Sequence, residues 1–453
     1  MFGAFQAAVA AARRHGNLYF AAFLDEESIT EAFGSATSNW NSWLYTPVVT
    51  TWVFLSQCLS PDHSCRDAVA RLVAWLSAQG RRVCSADTGA YCLAREQLPE
   101  EGCHRLVRHT GIKLENEAPR EWLWKGRPVR VADGTTVTMP DTPENQAEYP
   151  QVKSQRPGCG FPIARIVVIF SLAVGTVLEA AIGKYAGKQT GENSLLRTLL
   201  DVLAKEDVML MDRYFSGWFD LALLAQRGVD VVVRKHQLRG TDFRTGVRLG
   251  KDDHMVVWKK PARPKWMTRE LHAELPGTLT LRELRVAVKQ RGFRTKILIV
   301  VTTLLRPADF SAEDIAQLYR ARWNAELNLR SIKIVLQMDH LRCKTPHRVR
   351  NEIWMHLVAY NGVCCAMATA AHHSKRQPWQ ISFKGTVQTL NQFLPQLGSV
   401  NTVAAYCEAL ISCIATHIVG NRPDRVEPRV KKRRQKKFKY MTKPRAEYKR
   451  GIV

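Results

Sequence analysis

Hydrophobic and polar positions follow a strand-like pattern in the middle of the chain. Between residues 119 and 234, short apolar runs rich in β-branched residues predict strands at 127–139, 163–173, 177–184, 208–211 and 229–233. Segments with helical apolar spacing, 191–203 and 216–225, lie between the last three runs. The predicted order is β-β-β-α-β-α-β, the order of an RNase H-like domain. In that arrangement the first and fourth strands are neighbours.

The segment before this pattern has a different character. Residues 1–118 show near-helical apolar spacing and predict a helical N-terminal domain, in which Ser64 is a helix N-cap. Arginines are scattered through its second half, from Arg66 to Arg108. They suit a module that contacts DNA, and a helical cap on the following domain explains the pattern equally well.

After residue 234 the alternation of strands and helices stops. Residues 235–305 are rich in Gly and Pro with strand-like runs, and predict a β-rich insertion domain. Helical spacing returns in residues 306–372, which complete the core. We predict a C-terminal helical region at 373–421, which is a candidate for dimerisation, and a basic, disordered tail at 422–453. The fold class is therefore α/β, with an RNase H-like catalytic core that the insertion interrupts and helical regions at both ends.

Three acidic residues stand at positions that suit metal-dependent chemistry. Asp133 lies in the middle of the first predicted strand, Asp212 directly follows the fourth, and Glu326 lies in the helix after the insertion. Phosphodiester cleavage without a covalent intermediate needs an activated oxygen nucleophile and positive charge at the leaving oxygen. Two Mg²⁺ ions supply both when carboxylates from separate elements hold them. We therefore predict these three acids as catalytic metal ligands for two Mg²⁺ ions, for which Mn²⁺ can substitute.

The helix that carries Glu326 has cations on the same face. Tyr319, Arg322, Glu326 and Lys333 occupy offsets 0, 3, 7 and 14, which fall within about 60° on a regular α-helix. Arg322 and Lys333 would bind phosphate oxygens, Tyr319 could donate its hydroxyl, and Arg330 could reach a neighbouring phosphate. The alternative is an exposed helix with ion pairs between Glu326 and Arg322 or Arg330.

The net charge indicates the class of partner, and the cysteine content indicates the cellular compartment. The chain has 66 Lys and Arg against 41 Asp and Glu, a formal net charge of +25, which indicates a polyanionic partner such as nucleic acid or an anionic membrane surface. No apolar run approaches the ~20 residues that span a bilayer, so we expect double-stranded DNA and no membrane. Eleven cysteines without a structural zinc spacing favour reduced thiols in the cytoplasm.

Aromatic residues lie among the cations of the predicted insertion. Trp258 and Trp266 are flanked by lysines and arginines, so either could stack on an unpaired base. For each of them, a place in the core of a small β-domain is the alternative. The basic tail would add affinity for the phosphate backbone without adding sequence specificity.

The acidic segments resemble those of a known enzyme family. Residues 131–145, which include Asp133, resemble the first-Asp segment of bacterial insertion-sequence transposases, and residues 211–215 resemble the second. Residues 319–326 together with Lys333 are similar to the YREK signature. The group is the DDE transposases of the insertion-sequence-four family, and the similarity runs from about residue 45 to residue 370.

The resemblance implies a DNA transposase with divalent-metal dependence. It implies cut-and-paste chemistry, in which the element's ends are cleaved, often through a hairpin, and are joined to target DNA. It also implies an N-terminal domain that helps to recognise transposon ends, and a homodimer in the synaptic complex of a nucleoid-associated protein. The alternatives are a metal-dependent DNA nuclease of the same fold and a catalytically inactive DNA-binding protein derived from a transposase.

Overall fold

The structure is a computed structural model. It describes residues 23–37, 42–287, 297–399, 402–420 and 438–450, and near the N-terminus residues 1, 3, 5–7, 9, 10 and 40. The most basic stretch of the predicted tail, 431–437, lies outside the described residues. The chain forms two compact units: the first comprises Met1–Gly126, Val168–Ala180 and Asn324–Val419, and the second comprises Arg127–Val167, Ala181–Trp323 and Gly420–Val453. The domain boundaries predicted from the sequence remain predictions.

Among the described residues, nine strands form one sheet. They are β1 (Val129–Thr138), β2 (Ile163–Ser171), β3 (Val177–Lys184), β4 (Val208–Met211), β5 (Asp230–Arg234), β6 (Val247–Gly250), β7 (Asp253–Lys259), β8 (Thr278–Ala287) and β9 (Ile297–Thr302). The first five agree with the predicted runs to within a few residues. Apolar, β-branched residues dominate these runs because both faces of the central strands are covered.

The strand order is β3-β2-β1-β4-β5-β9-β8-β7-β6. Strands β1, β4 and β5 pair in parallel, so the prediction that the first and fourth strands are neighbours is confirmed. Strand β9 pairs with β5 in the antiparallel sense, and β8, β7 and β6 continue outward in the same sense. The strands of the predicted insertion thus extend the same sheet.

Helices form the N-terminal part of the first unit. They are α1 (Glu26–Phe33), α2 (Pro47–Leu59), α3 (Cys65–Ala78), α4 (Gly89–Gln97) and α5 (Glu100–Asn116). The predicted cap is present, because the Ser64 side chain accepts a hydrogen bond from the backbone N–H of Asp67. Leu72 and Leu76 on one side of α3 are buried in a cluster with Tyr91 of α4, which is what the apolar spacing predicts.

The second unit contains shorter helices around its part of the sheet. They are α6 (Pro143–Glu148), α7 (Glu192–Arg197), α8 (Trp218–Gln226), α9 (Arg269–Glu274) and α10 (Ala312–Ala321). Two predictions are wrong here. Helix α7 ends at Arg197 instead of continuing to residue 203, and Ser216 does not cap α8 because its hydroxyl donates to the Arg213 carbonyl (2.7 Å). Gly217 is the N-cap instead.

Long helices complete the first unit. After α11 (Trp323–Arg330), which begins at the last residue of the second unit, come α12 (Pro346–His373), α13 (Phe383–Phe393) and α14 (Val403–Thr416). Within the described ranges, α12 is the one helix that is long and apolar enough to cross a membrane, but 89% of its most apolar stretch is buried in the protein. It is therefore the central core helix against which α13 and α14 pack.

The start of β3 is fixed by one buried amide. Asn361 of α12 is fully buried; its carbonyl oxygen accepts from the Val177 N–H (2.8 Å), and its NH₂ group donates to the Val177 carbonyl (2.9 Å) and to Thr110 (3.1 Å). Gly111 of α5 lies against the same carbonyl, since a Cβ there would be 2.0 Å from the oxygen. Asn361 thus replaces a further strand at this edge of the sheet.

Candidate active site

The two predicted aspartates lie at the same edge of the parallel strands. The pairing between β1 and β4 matches Val129 with Val208 and Val131 with Leu210. This register, continued two residues beyond the last pair, sets Asp133 opposite Asp212. Neighbouring strands are about 4.8 Å apart, so the shared sheet expected for the two aspartates is present, and their role as metal ligands remains a prediction.

The next strand adds a cation that the sequence did not reveal. Strand β5 matches Val233 with Met211 of β4, so the same register places Arg234 beside Asp212. The two registers therefore set Asp133, which lies within β1, in one row with Asp212 and Arg234 at the ends of β4 and β5. The available signal was the position of Arg234 directly after the strand predicted at 229–233, since ligand sites form beyond strand ends in open α/β sheets.

Local hydrogen bonds orient both carboxylates. The Gly134 N–H donates to Oδ1 of Asp133 (2.9 Å), and the Arg213 N–H donates to Oδ1 of Asp212 (2.6 Å). Both aspartates are half-buried. A carboxylate that is fixed by its own backbone and still reachable from solvent is suited to binding a cation.

Helix α10 carries Tyr319, and Arg322 is the residue that caps its C-terminal end, both within the second unit. It begins at the predicted capping box, in which Ser311 and Asp314 each bind the backbone of the other. The phenol of Tyr319 is buried near its end, and burial raises the pKa of Tyr319 to about 12. The Asp212 carboxylate also raises this pKa, whereas the guanidinium of Arg322 lowers it.

The remaining residues of the predicted motif lie in the first unit. Glu326 of α11 is half-buried, Arg330 is exposed, and Lys333 lies in a π-helical turn, Ser331–Val335. The prediction of one regular helix is wrong, because α10 ends before Arg322 and the π-turn follows α11. A π-turn has more residues per turn than an α-helix, so the spacing used to place Lys333 does not hold there.

The two tryptophans are both half-buried and both contact a guanidinium. Trp258 of β7 donates its indole N–H to the buried carboxylate of Glu283 (3.1 Å), and the Arg239 guanidinium lies 4.2 Å from its ring centre. The guanidinium of Arg197 lies 3.7 Å from the ring centre of Trp266. Both rings are held in place by polar partners in the second unit, and their role in base stacking remains a prediction.

The donor set is suited to a hard divalent cation. Asp133 and Asp212 offer carboxylate oxygens, which Mg²⁺ prefers, and no histidine or thiolate belongs to the row. Among the described residues, no three His, Cys, Asp or Glu side chains are grouped so that they alone would hold a metal ion. The convergence of Asp133, Asp212 and Glu326 on one metal site remains a prediction. All eleven cysteines are free thiols, as predicted.

Known proteins resemble this chain over the region that carries the acids. Residues 124–361 match the family model described as the transposase DDE domain. Transposase InsG of insertion sequence element IS4, from Escherichia coli K12, is 28% identical over 403 residues, which cover 87% of this chain and 86% of InsG. The putative transposase InsL of element IS186A, from the same organism, is 36% identical over 61 residues, or 14% of this chain and 16% of InsL.

A solved structure also aligns along most of the chain. The piggyBac transposase synaptic complex with hairpin DNA, determined by cryo-electron microscopy, gives a TM-score of 0.43 at 9% identity, covering 89% of this chain and 86% of that one. This TM-score is too low to support a conclusion about fold. The family match spans more than half of the chain and includes Asp133, Asp212 and Glu326. The chain therefore belongs to the DDE-domain transposases, of the insertion-sequence-four type that its motifs resemble.

Proposed function

We propose that this transposase moves an insertion sequence by a metal-dependent cut-and-paste reaction on an RNase H-like core. Water nicks the ends of the element, the freed 3′-hydroxyl attacks the opposite strand to form a hairpin and releases the flanking DNA, water reopens the hairpin to restore the 3′-hydroxyl, and this hydroxyl then attacks a phosphodiester of target DNA. The observation that carries the proposal is the parallel pairing of β1 with β4, whose register, continued by two residues, sets Asp133 opposite Asp212. Strand order and parallel pairing of β1, β4 and β5 support the choice of core.

We infer that Asp133, Asp212 and Glu326 hold two Mg²⁺ ions, with Mn²⁺ as a substitute. When bound, the ions activate an oxygen nucleophile and stabilise charge on the leaving oxygen. Asp133 and Asp212 contribute oxygens from adjacent strands, and Glu326 supplies the further ligand. The carboxylates must be ionised to do this, and their half-buried positions keep them in contact with solvent.

Cations and a neutral phenol would bind the phosphate groups of the DNA ends. The raised pKa of Tyr319 keeps its proton available for donation at any working pH. Arg322 offers a planar fork for two phosphate oxygens, and Lys333 and Arg330 act as further contacts. Arg234 joins this set because the β4–β5 register, continued by one residue, sets it opposite Asp212.

The other partners follow from the family membership and from charge. Trp258 or Trp266 would stack on a flipped base, the N-terminal helices would bind the transposon ends, and residues 422–453 would bind the phosphate backbone. The basic excess of +25 supports a DNA partner. Two copies of the protein would act together in the synaptic complex.

The test is cleavage and joining of a DNA fragment that carries the element's terminal repeats. Purified protein with Mg²⁺ should yield nicked, hairpin and strand-transfer products. Glu326→Gln should keep DNA binding and lose all three products. Glu313→Gln is the matched control, because among the described residues this exposed carboxylate of α10 pairs with neighbouring side chains of its own helix, and it should cleave as the wild type does.

Other outcomes distinguish the alternatives. Cleavage without any strand-transfer product would indicate a nuclease of the same fold. Specific DNA binding without cleavage in any divalent metal would indicate a binding protein derived from a transposase. Cleavage that persists in Glu326→Gln would refute the assignment of the third acid.

A further inference from the structure

The side chain of Glu192 occupies space beside the first catalytic segment. A Cβ at Gly134 would lie 2.6 Å from the carboxyl carbon of Glu192 and 2.7 Å from its Oε1. Those distances are shorter than any real contact, so the carboxyl group can take this position only because residue 134 has no side chain. Glu192 therefore packs directly on the backbone that follows Asp133.

The adjacent residue binds the second catalytic segment. The Asn193 side chain donates a hydrogen bond to the backbone carbonyl of Tyr214 (2.8 Å). Tyr214 lies in the single turn Arg213–Phe215 that directly follows Asp212. The first turn of α7 thus contacts both segments that carry the predicted aspartates, all within the second unit.

These contacts of α7 matter because the backbone pairing between β1 and β4 ends before the two aspartates. The described pairs between β1 and β4 end at Val131 and Leu210, two residues before Asp133 and Asp212. Beyond the last pair, backbone hydrogen bonds between these strands no longer fix the distance between the two segments. Metal ligands must be held to within about 0.5 Å, which requires support from surrounding residues.

We propose that Glu192 and Asn193 are positioning residues, which hold the Asp133 and Asp212 segments at the spacing that metal binding requires. This inference rests on the proposed function, because it assumes that the two aspartates are metal ligands. Glu192 acts by packing against Gly134, and Asn193 acts by its hydrogen bond to Tyr214. Residues in such supporting positions typically change metal affinity or activity by about 10- to 100-fold when they are lost.

The experiment measures metal binding directly as well as cleavage. Mn²⁺ binding to the full chain is followed by calorimetry, and the Mg²⁺ dependence of end cleavage is measured in parallel. Glu192→Ala and Asn193→Ala should each weaken Mn²⁺ binding and raise the half-saturating Mg²⁺ concentration by roughly 10-fold. Metal-free DNA binding and the melting temperature should stay near those of the wild type.

Two variants separate positioning from charge and from general damage. Glu192→Gln keeps the shape of the side chain, so it should bind Mn²⁺ as the wild type does. If Glu192→Gln weakened Mn²⁺ binding as much as Glu192→Ala does, the packing role of Glu192 would be overturned. Glu144→Ala is the matched control, since Glu144 is an exposed carboxylate in the first turn of the short helix α6 of the same unit, and it should change nothing.

A double variant tests the contact itself. Gly134→Ala should displace the Glu192 carboxyl group and weaken Mn²⁺ binding, and adding Glu192→Ala should cause little further loss. If the fold-losses of Mn²⁺ affinity in Gly134→Ala and Glu192→Ala multiply in the double variant, the two residues act independently and the inference is overturned. A wild-type protein that neither binds Mn²⁺ nor cleaves would instead refute the proposed function. A wild type that does both, with Glu192→Ala and Asn193→Ala unchanged, would refute this inference alone.

Discussion

Replacement of Asn361 by Leu should destabilise the first unit through the edge strand β3. The new side chain has a similar size but leaves the N–H and C=O groups of the buried residue Val177 without their partner. Each buried backbone group without a partner costs about 1–3 kcal/mol, so the pair costs about 2–6 kcal/mol. The apolar contacts of Leu offset about 1 kcal/mol of this. The free energy of unfolding should therefore fall by about 3 kcal/mol.

The assay is thermal unfolding of the full chain, followed by circular dichroism. For a unit of this size, about 3 kcal/mol corresponds to a fall in Tm of about 6–12 °C. Asn391→Leu is the control, because the half-buried Asn391 makes one hydrogen bond, to the Leu59 carbonyl (2.9 Å), and should cost about 1 kcal/mol. If both variants melt within 2 °C of each other, Val177 does not depend on Asn361 and the reasoning fails.

Four further outcomes follow from the contacts described above. Gly111→Ala should lower the Tm as well, although Ala is the better helix former, because its Cβ would meet the backbone carbonyl of Val177 at 2.0 Å; an unchanged Tm would mean that α5 can shift. Lys235→Met should lower the free energy of unfolding, measured by chemical denaturation, by about 3–5 kcal/mol, because the buried Glu283 carboxylate loses the cation that lies 2.6 Å away. Adding Glu283→Gln should restore most of this free energy. Tyr319→Phe should slow end cleavage roughly 10- to 100-fold. This factor should stay constant from pH 7 to pH 10, because the raised pKa of Tyr319, about 12, keeps the phenol protonated. A factor that falls as the pH rises would contradict this reasoning. The same raised pKa stabilises the fold below pH 10, and this contribution should be lost as the pH rises from 10 to 12.

The sequence by itself determined the elements and the local order of the acids. The short β-branched runs predicted the first five strands, and the serine-led pattern at Ser311 predicted the start of α10. It also determined that Asp133 lies in the first strand and that Asp212 directly follows the fourth, which is enough to expect them at one sheet edge. These features depend on side-chain periodicity and on hydrogen bonds within a few residues, and both can be read along the chain.

Tertiary structure alone decided what lies beside those acids. Arg234 reaches the row because β5 pairs with β4 in one particular register, and register depends on contacts between residues distant in sequence. The contact of Glu192 with Gly134 joins a helix to a strand almost 60 residues away in the sequence, which no local pattern encodes. The π-turn around Lys333 and the hydroxyl of Ser216, which turns back to a nearby carbonyl, also arise from competition among packing contacts. Periodicity specifies which face of an element is apolar, and the packing of distant segments decides which polar groups meet.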